Sequence, residues 1–398
     1  MKIKKHEINF NMEKRGITIK KPVNPNSVDL TRRERFCRLY DFKKVDRPVH
    51  WEAVAFWQET LEDWKSKGGL PPDMEINGNY GYPNSAVREH YHLEPFFGIS
   101  GGLGFTMALS GPPVQTRVLK EDGNERVMEN DLGKIWRVRT DGVSMPQWIR
   151  FPVESPADWA QKIKPRLNPR RHEYPGLENE LLAGAGGTEP MGLWLVGLYA
   201  FWRGFWGEVN LAYAFYDYPD VLHDMAKTWL TMHCECVPYI FSRAAIDYVL
   251  FHEDMAFKNG PLIGPDLFDG FMAPYYRELF AHLKQCGQSR FMLDSDGNNG
   301  LVLERFAELG MNGLFPFEAA AGCDALEFRR RHPRFFVWGT IDKRVLLRTK
   351  EDVRREMLKK IPPLWEQGGF IPAIDHSVPP CSQENFEYFL ELARELCR

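Results

Sequence analysis

The chain has few cysteines, no long hydrophobic run and no excess of charge of either sign. Its seven cysteines are scattered over 398 residues and odd in number, which favours reduced thiols in a cytoplasmic protein over a disulfide framework. No window approaches 18 consecutive apolar residues, so no membrane span is predicted. Lys and Arg total 51 and Asp and Glu total 54, and this near balance argues against a dedicated nucleic-acid-binding protein.

Motifs that hold nucleotide phosphates are missing as well, since no GxGxxG follows a predicted strand and no GxxxxGK[ST] occurs. What is present is material for a large core: 43% of residues are hydrophobic, which excludes global disorder. The length allows two or three domains, but one large barrel with insertions fits equally well. Residues 1–30 begin with a basic stretch that lacks the apolar segment of a secretory signal, and we predict a solvated N-terminal tail there.

Apolar runs alternate with helical patterns through the second half of the chain, at 192–198, 247–254, 290–297, 313–319, 335–342 and 370–376. Strands that are apolar throughout and separated by helices indicate a parallel sheet buried on both faces. Runs at 49–54 and near 96–107 bring the total to eight. We therefore predict one α/β domain over 31–398, a (β/α)8 barrel, with a doubly wound open sheet as the alternative. Residues 114–153 alternate in short β-branched runs around turns, which predicts an inserted antiparallel meander.

Acidic residues and histidines follow the predicted strands, at the end of a barrel where active sites lie. These residues are Glu52, His252, Glu253, Asp254, Asp294, Asp296, Glu318, Asp342, Asp375 and His376. Clustered carboxylates repel one another unless a bound cation, shared protons or paired basic residues compensate, and Lys258, Lys343 and Arg344 are near enough in sequence to pair. A single such acid is most simply a helix cap or a salt bridge, but so many together favour a functional mouth.

The segment Asp294-Ser295-Asp296-Gly297 has two carboxylates that point the same way if it continues a strand. If His376 from the last strand reaches the same point, two oxygens and one nitrogen can hold Zn, Mn or Fe and leave positions open for substrate. The alternative is that Asp294 caps the next helix and Asp296 starts a turn with Gly297. The pattern alone leaves both interpretations open.

Three further features have a structural interpretation beside a functional one. Cys234 and Cys236 would point about 200° apart on a helix, so they are core residues rather than ligands of one ion. Cys381 is either a reactive thiol near the mouth or a residue at a helix start. The aromatic run at 199–206 either lines an apolar pocket or packs a barrel helix.

Several segments resemble the uroporphyrinogen decarboxylase superfamily: VDLTRRERFCRLYDFKKVDRPV, KNGPLIGPDLFDGFMAPYYREL, DSDGN, GLFPFE, WGTIDKRVL and GGFIPAIDHSVPPCSQENFEYF. The resemblance runs from about residue 30 to the C-terminus and is stronger in the second half. It implies a distorted (β/α)8 barrel with a deep cleft at the C-terminal ends of the strands. It also implies either a porphyrinogen decarboxylase or a cobalamin-dependent methyltransferase, which moves methyl groups between a corrinoid protein and a thiol or folate.

Two comparisons with that superfamily favour the methyltransferase branch. The decarboxylases have an arginine-rich segment after the first strand, whereas this chain has HWEAVAFWQET with Glu52 and no arginine, and an acidic mouth is a poor fit to a substrate with eight carboxylates. His376 does match the cleft histidine of the decarboxylases, so that branch is weakened rather than excluded. In the thiol-using methyltransferases, three metal ligands, His, Cys and Cys, match Asp294, Asp296 and His376. Oxygen and nitrogen thus replace sulfur, which implies a harder Lewis acid site.

We therefore expect a corrinoid-linked methyltransferase that acts on a small methylated metabolite or methyl acceptor. Uroporphyrinogen decarboxylase and a non-catalytic metabolite-binding barrel are the alternatives. The resemblance assigns Asp294, Asp296 and His376 to catalysis and metal binding, and Glu253 and Asp254 to orienting the substrate. The other expected substrate-binding residues are Glu52, His252, Glu318, Asp342, Lys343 and Asp375.

The expected cofactors are a divalent metal, zinc or another, and a corrinoid supplied by a partner protein. The expected partners are a small-molecule substrate, that corrinoid protein and a second copy of the chain. Neither nucleic acid nor a membrane is expected as a partner, and the expected location is the cytoplasm.

Overall fold

The computed structural model describes residues 29–53, 55–76, 85–95, 97–100, 102–104, 107, 109–110, 113–141, 146–167, 177–183 and 187–398. The predicted N-terminal tail thus lies almost wholly outside the described residues. The strands are β1 (Phe97–Ile99), β2 (Thr116–Asp122), β3 (Glu125–Asn130), β4 (Ile135–Arg139), β5 (Gln147–Arg150), β6 (Met191–Val196), β7 (Tyr248–His252), β8 (Ala256–Phe257), β9 (Gly260–Pro261), β10 (Phe291–Asp294), β11 (Gly313–Phe315), β12 (Phe336–Trp338) and β13 (Phe370–Ile371).

The α-helices are α1 (Arg32–Tyr40), α2 (Gln58–Ser66), α3 (Ser85–Tyr91), α4 (Pro156–Asp158), α5 (Leu177–Ala183), α6 (Leu198–Trp206), α7 (Glu208–Asp217), α8 (Pro219–Phe241), α9 (Pro265–Leu267), α10 (Ala273–Gln285), α11 (Gly300–Leu309), α12 (Ala325–Arg331), α13 (Lys350–Gln367) and α14 (Gln383–Leu396). Short 3-10 or π turns cover Trp159–Ile163, Lys164–Arg166, Phe268–Met272, Ala319–Ala321 and Lys343–Leu347. Within the described part of the chain, no helix has both the length and the apolar character that a membrane span needs.

Seven strands form one parallel sheet in the order β1-β6-β7-β10-β11-β12-β13. The segment 49–53 lies between the two edges of this sheet: Ile374 N donates to Glu52 O at 3.1 Å, and Glu94 N donates to His50 O at 2.8 Å. The sheet is therefore a (β/α)8 barrel, as predicted. The barrel is distorted because isolated hydrogen bonds, rather than the regular ladder of a strand, hold the segment 49–53 in place.

Side-chain alternation along the strands divides the core in two. One set of alternate residues fills the barrel interior, including Trp51, Tyr248, Leu250, Met292 and Trp338. Phe36 of α1 packs against this set at the N-terminal end of the barrel, where a capping box of Thr31 and Glu34 starts the helix. The opposite set faces the surrounding helices and joins their apolar faces in a larger outer core. At the other end of the interior, the rows of side chains become polar.

The strands β2 to β5 form a separate antiparallel sheet within 116–150, as the meander prediction required. Residues of β2 are exposed along its whole length, so its charged side chains lie in water. This sheet packs beside α6, which follows β6 of the barrel, because the backbone N–H of Val153, shortly after β5, donates to the carbonyl oxygen of Phe205 at 3.0 Å. The insert is therefore anchored near the C-terminal end of the barrel strands.

Candidate functional site

The strands β7 and β10 bring an imidazole and a carboxylate together at the barrel mouth. His252 continues the interior row of Leu250, Asp294 continues that of Met292, and the two residues lie opposite each other in the register of the sheet. His252 Nδ1 lies 3.2 Å from Asp294 Oδ2. Burial raises the pKa of Asp294. Burial also opposes the charged form of His252, but the hydrogen bond and charge of Asp294 outweigh it and raise the pKa of His252.

A second carboxylate–histidine pair lies nearer to solvent. His376 Nε2 is 3.0 Å from Asp296 Oδ2, and the Asp296 side chain is 45% exposed, against 15% for Asp294. Burial alone would raise the pKa of Asp296, yet the hydrogen bond and charge of His376 lower it overall. The same bond raises the pKa of His376 against the effect of burial. Both members of this pair therefore favour their charged forms.

The turn that holds Asp296 is fixed by hydrogen bonds on both sides. Met255 N donates to Ser295 Oγ at 3.1 Å, and Ser295 Oγ donates to Asn299 Oδ1 at 2.7 Å. Gly297 has φ 79°, and a Cβ there would lie 2.4 Å from the carbonyl oxygen of Ala256, so a larger residue does not fit. Asp296 thus starts a turn with Gly297, which was one of the two interpretations, while its carboxylate still meets a histidine.

Lys343 and two further acids border the second pair. Lys343 Nζ donates to Glu318 Oε1 at 2.9 Å, and the other oxygen of Glu318 accepts from Gly297 N at 2.7 Å. Asp375 accepts from Ala320 N at 2.6 Å and from Lys343 N at 2.9 Å. Burial raises the pKa of Asp375 although these bonds oppose it. The Lys343 ammonium group therefore compensates Glu318, whereas Asp375 accepts hydrogen bonds from backbone N–H groups.

Glu253 is fully buried and holds the start of α6. Its carboxylate accepts from Leu198 N and from Ala200 N, each at 3.0 Å, and from the Tyr276 hydroxyl. Burial raises the pKa of Glu253 to about 7. Negative charge at the N-terminus of a helix is favourable. The groups that donate to this carboxylate are two backbone N–H groups of α6 and a buried tyrosine hydroxyl. Glu253 therefore positions α6, while the prediction that it orients substrate stays a prediction.

Asp254 has φ 42° and accepts from Arg203 Nη2 at 2.9 Å. Its side chain is 36% exposed, so it remains open to the mouth. The backbone N–H of Asp254 is 3.3 Å from the carbonyl oxygen of Asp294, which ties this residue to the first pair.

Two of the predicted residues lie away from the two pairs. Glu52 is fully buried, and Arg394 Nε of α14 donates to its Oε1 at 2.7 Å. Asp342 caps the turn Lys343–Leu347, where Arg344 N donates to its Oδ1 at 2.9 Å. Hydrogen bonds from Arg344 lower the pKa of Asp342 although burial opposes them. Both carboxylates are occupied by these arginines.

The predicted trio Asp294, Asp296 and His376 does not surround one point. Each of the two aspartates pairs with a different histidine, 3.2 Å and 3.0 Å away. Among the residues that the structure describes, no group of three or more His, Cys, Asp or Glu side chains is arranged to hold a metal ion. As arranged, these residues do not fit a shared divalent cation, and the metal site stays a prediction.

The family model described as Uroporphyrinogen decarboxylase (URO-D) matches residues 207–396. A curated uroporphyrinogen decarboxylase from Nostoc punctiforme is 26% identical over 183 residues, which are 46% of this chain and 50% of the relative. The match therefore spans about half the length of that relative. Residues 207–396 of the chain are thus similar to the uroporphyrinogen decarboxylase family.

A solved structure of a methyltransferase from Methanosarcina mazei has the same fold. The TM-score is 0.57 at 15% sequence identity, over 92% of this chain and 98% of that one. At this identity the likeness shows the fold alone. The region that matches the superfamily, 207–396, includes every predicted mouth residue except Glu52.

The cysteines of the chain are not poised as nucleophiles. Cys236 is buried in α8, as its core interpretation required, and burial raises the pKa of Cys234 to about 11. Burial also raises the pKa of Cys381 to about 12, and this residue directly precedes Ser382, the cap of α14. Thiols with these pKa values stay protonated near neutral pH and are poor nucleophiles.

Sequence reasoning missed four residues that shape the mouth: Tyr276, which bonds Glu253; Arg203, which bonds Asp254; Asn299, which holds the Asp296 turn; and Thr340. Thr340 has φ 86°, which is rare for a β-branched residue, and its hydroxyl is buried without a hydrogen-bond partner among the described residues. Arg203 gave a signal, as the one cation in the aromatic run 199–206. Tyr276 gave none, because its partner Glu253 is 23 positions away in the sequence.

Proposed function

We propose that this protein is a methyltransferase whose active site is the mouth that holds the His252–Asp294 and His376–Asp296 pairs. The observation that carries the proposal is that two imidazoles each lie within hydrogen-bond distance of an aspartate carboxylate at the end of a barrel whose interior is filled by aromatic side chains. Trp51 stacks on Trp338 with ring centroids 4.7 Å apart beneath this mouth. A mouth of this kind suits a small substrate.

Methyl transfer from an ether oxygen needs a proton donor at the atom that loses the methyl group. As the bond to the methyl carbon breaks, its electron pair stays on the heteroatom, which leaves more easily when it gains a proton. A histidine paired with a carboxylate remains protonated at higher pH and is a suitable donor. When bound, a corrinoid carried by a partner protein supplies the nucleophile that takes the methyl group.

We assign the proton transfer to the pair of His376 and Asp296. Asp296 is the more exposed of the two paired carboxylates, so this pair is within reach of a substrate in the mouth. Asp294 is the less exposed of the two paired carboxylates, and we assign the His252–Asp294 pair to orienting the substrate. Glu318 and Lys343 hold the turn of Asp296 in place.

The first barrel segment supports a small substrate over a polycarboxylate. Trp51 points into the barrel interior, and Glu52 pairs with Arg394 on the outer side. Within 49–53 there is no cation, so this segment offers no countercharge to a substrate with several carboxylates. We therefore propose a small methylated metabolite as the methyl donor.

Uroporphyrinogen decarboxylase is the second candidate. The identity with the curated relative favours it, and so does the position of His376, because a protonated histidine can also deliver the proton that replaces a lost carboxyl group.

The test is an assay of the purified protein with reduced cobalamin and a panel of methyl ethers and methylamines, followed by absorbance. Formation of methylcobalamin with at least one donor is expected, and it should be lost in His376→Gln. A parallel incubation with uroporphyrinogen is analysed by chromatography. Inertness toward the whole panel, together with loss of acetate carboxyls from uroporphyrinogen, would replace the methyltransferase proposal with the decarboxylase.

A further inference from the structure

An apolar pocket of about 310 Å³ lies between the inserted sheet and α6. Its walls come from the segment before the insert, from the insert and from the barrel, and include Met107, Leu132, Lys134, Val196, Phe201 and Phe205. This volume is at the lower end of the range for small-molecule sites. None of the four paired mouth residues lines the pocket, so it is separate from the proposed active site. It also shows that part of the aromatic run 199–206 lines a pocket while Trp202 and Trp206 are buried in the core.

Lys134 brings a cation into this apolar lining. Its Nζ lies 3.8 Å from the ring centroid of Trp148 and 5.2 Å from that of Phe151. Among the described residues, no carboxylate forms an ion pair with Lys134. Burial lowers its pKa, and the charge of Glu208 only partly opposes this effect. The ammonium group therefore has two aromatic faces as neighbours and, among the described residues, no carboxylate in an ion pair with it.

The other charges around the pocket are already engaged with one another. Arg203 donates to Asp254 at 2.9 Å and lies 4.0 Å from Glu208. The Asn130 side chain oxygen accepts from the backbone N–H groups of Leu132 and Lys134, so it serves the turn rather than the pocket. Lys134 is thus the group in the lining that is left to meet an anion from outside.

We propose that this pocket binds a small organic monoanion with an apolar body, an aromatic or branched aliphatic carboxylate. The carboxylate meets Lys134, and the body packs against Phe201 and Phe205. Lys134 is partly buried, and an ion pair there is screened less by water than one on the open surface. The inference concerns binding alone and does not rest on the proposed methyl transfer.

Gly204 allows the pocket to be filled without any change to Lys134. It lies in the wall of the pocket on α6, and a Cβ added there meets no atom within 4 Å. Glycine is a poor helix former, so Gly204→Leu should keep or raise the stability of the fold while its side chain occupies the cavity. This variant separates loss of binding from loss of folding.

The experiment is isothermal titration calorimetry of the full chain with benzoate and with 3-methylbutanoate, against their uncharged amides. We expect at least one acid to bind at least tenfold more tightly than its amide. Lys134→Met should weaken this binding at least tenfold, and Gly204→Leu should remove it at an unchanged or higher melting temperature. Lys120→Met is the matched control, because Lys120 lies on the same sheet with a side chain 68% exposed, and it should bind as the wild type does.

Three results would overturn the inference: no binding of either acid, equal binding of acid and amide, or undiminished binding in Gly204→Leu. None of them bears on the cobalamin assay, so failure of this inference and failure of the proposed function are distinguishable.

Discussion

The barrel mouth and the inserted sheet use the same charged residue types in different ways. In the mouth, Asp294 and Asp375 are enclosed, and each accepts hydrogen bonds from particular donors. On the sheet, Lys120 and Asp122 form a pair whose side chains are 68% and 73% exposed. Water screens the exposed pair, so this pair contributes little to the free energy of unfolding. A charge in the mouth is screened much less. Burial, rather than residue type, distinguishes the charged residues that can take part in catalysis from those that are solvated on the surface.

This difference originates in the two kinds of strand. The barrel strands are covered on both faces, so polar side chains can appear only where a strand ends, as His252 and Asp294 do. The strand β2 is exposed along its length and can carry charge at every position. Substitutions in the mouth should therefore have larger effects than substitutions of the same type in the sheet.

The largest effect is expected from His376→Gln. Loss of a general acid lowers rates by about 10²- to 10³-fold, and we expect this fall in kcat/KM for methyl transfer. Glu121→Gln on the exposed face of the sheet is the matched control and should keep the wild-type rate, since Glu121 pairs with the surface residue Arg126. Steady-state kinetics measures kcat/KM for both variants, and circular dichroism checks that both are folded. Full activity in His376→Gln would remove this residue from the proton transfer.

A large effect on stability, rather than on rate, is expected from Glu253→Ala. The substitution leaves the N–H groups of Leu198 and Ala200 and the Tyr276 hydroxyl without their buried acceptor. The expected loss is about 2–4 kcal/mol in the free energy of unfolding, from unsatisfied donors and a lost helix cap. Urea denaturation measures it. A loss below about 0.5 kcal/mol would mean that Glu253 does not hold α6.

The barrel could be predicted from the sequence because its strands are buried on both faces and therefore read as unbroken apolar runs. Its mouth could be located for the same reason, since the polar residues that end those runs must meet. The parity of a strand explains why Glu52 lies away from the two pairs: Trp51 faces the interior, so the next residue faces outward and meets Arg394. Glu253 follows His252 and turns outward in the same way.

The partners of the mouth residues could not be predicted. Asp296 and His376 are 80 positions apart, and which histidine meets which aspartate depends on strand stagger and side-chain rotamers. The pocket beside Lys134 was hidden for a similar reason, because it forms only where the insert meets α6.

The pH dependence of activity should separate the mouth from the surface further. The paired carboxylate of Asp296 raises the pKa of His376, so the histidine stays protonated at higher pH and activity as a proton donor is lost as pH rises through that raised value. In Asp296→Asn the negative charge that raises the pKa of His376 is absent, so the alkaline limb of kcat/KM should move to lower pH. An alkaline limb that is identical in both proteins would contradict this assignment.

The same variant tests the predicted metal site. If Asp296 pairs only with His376, Asp296→Asn should lower the free energy of unfolding by about 1–2 kcal/mol through loss of one charge-assisted hydrogen bond. Chelator should then leave the melting temperatures of wild type and variant unchanged. Elemental analysis of both proteins is the second measurement. One equivalent of metal in the wild type that is lost in the variant would support the shared metal site and would require His252 and His376 to leave their present partners.

The smallest effect is expected from Arg117→Ala on the inserted sheet. Arg117 Nη2 lies 2.6 Å from Glu129 Oε2, but the Arg117 side chain is 75% exposed. Glu129 also keeps a second partner, since Arg150 Nη2 lies 3.0 Å from its other oxygen. We therefore expect a loss of about 0.5 kcal/mol or less in the free energy of unfolding, and a smaller loss in high salt. Urea denaturation at low and high salt measures both. A loss above about 1.5 kcal/mol that does not depend on salt would show that charges on the sheet matter as much as those in the mouth, and the distinction by burial would fail.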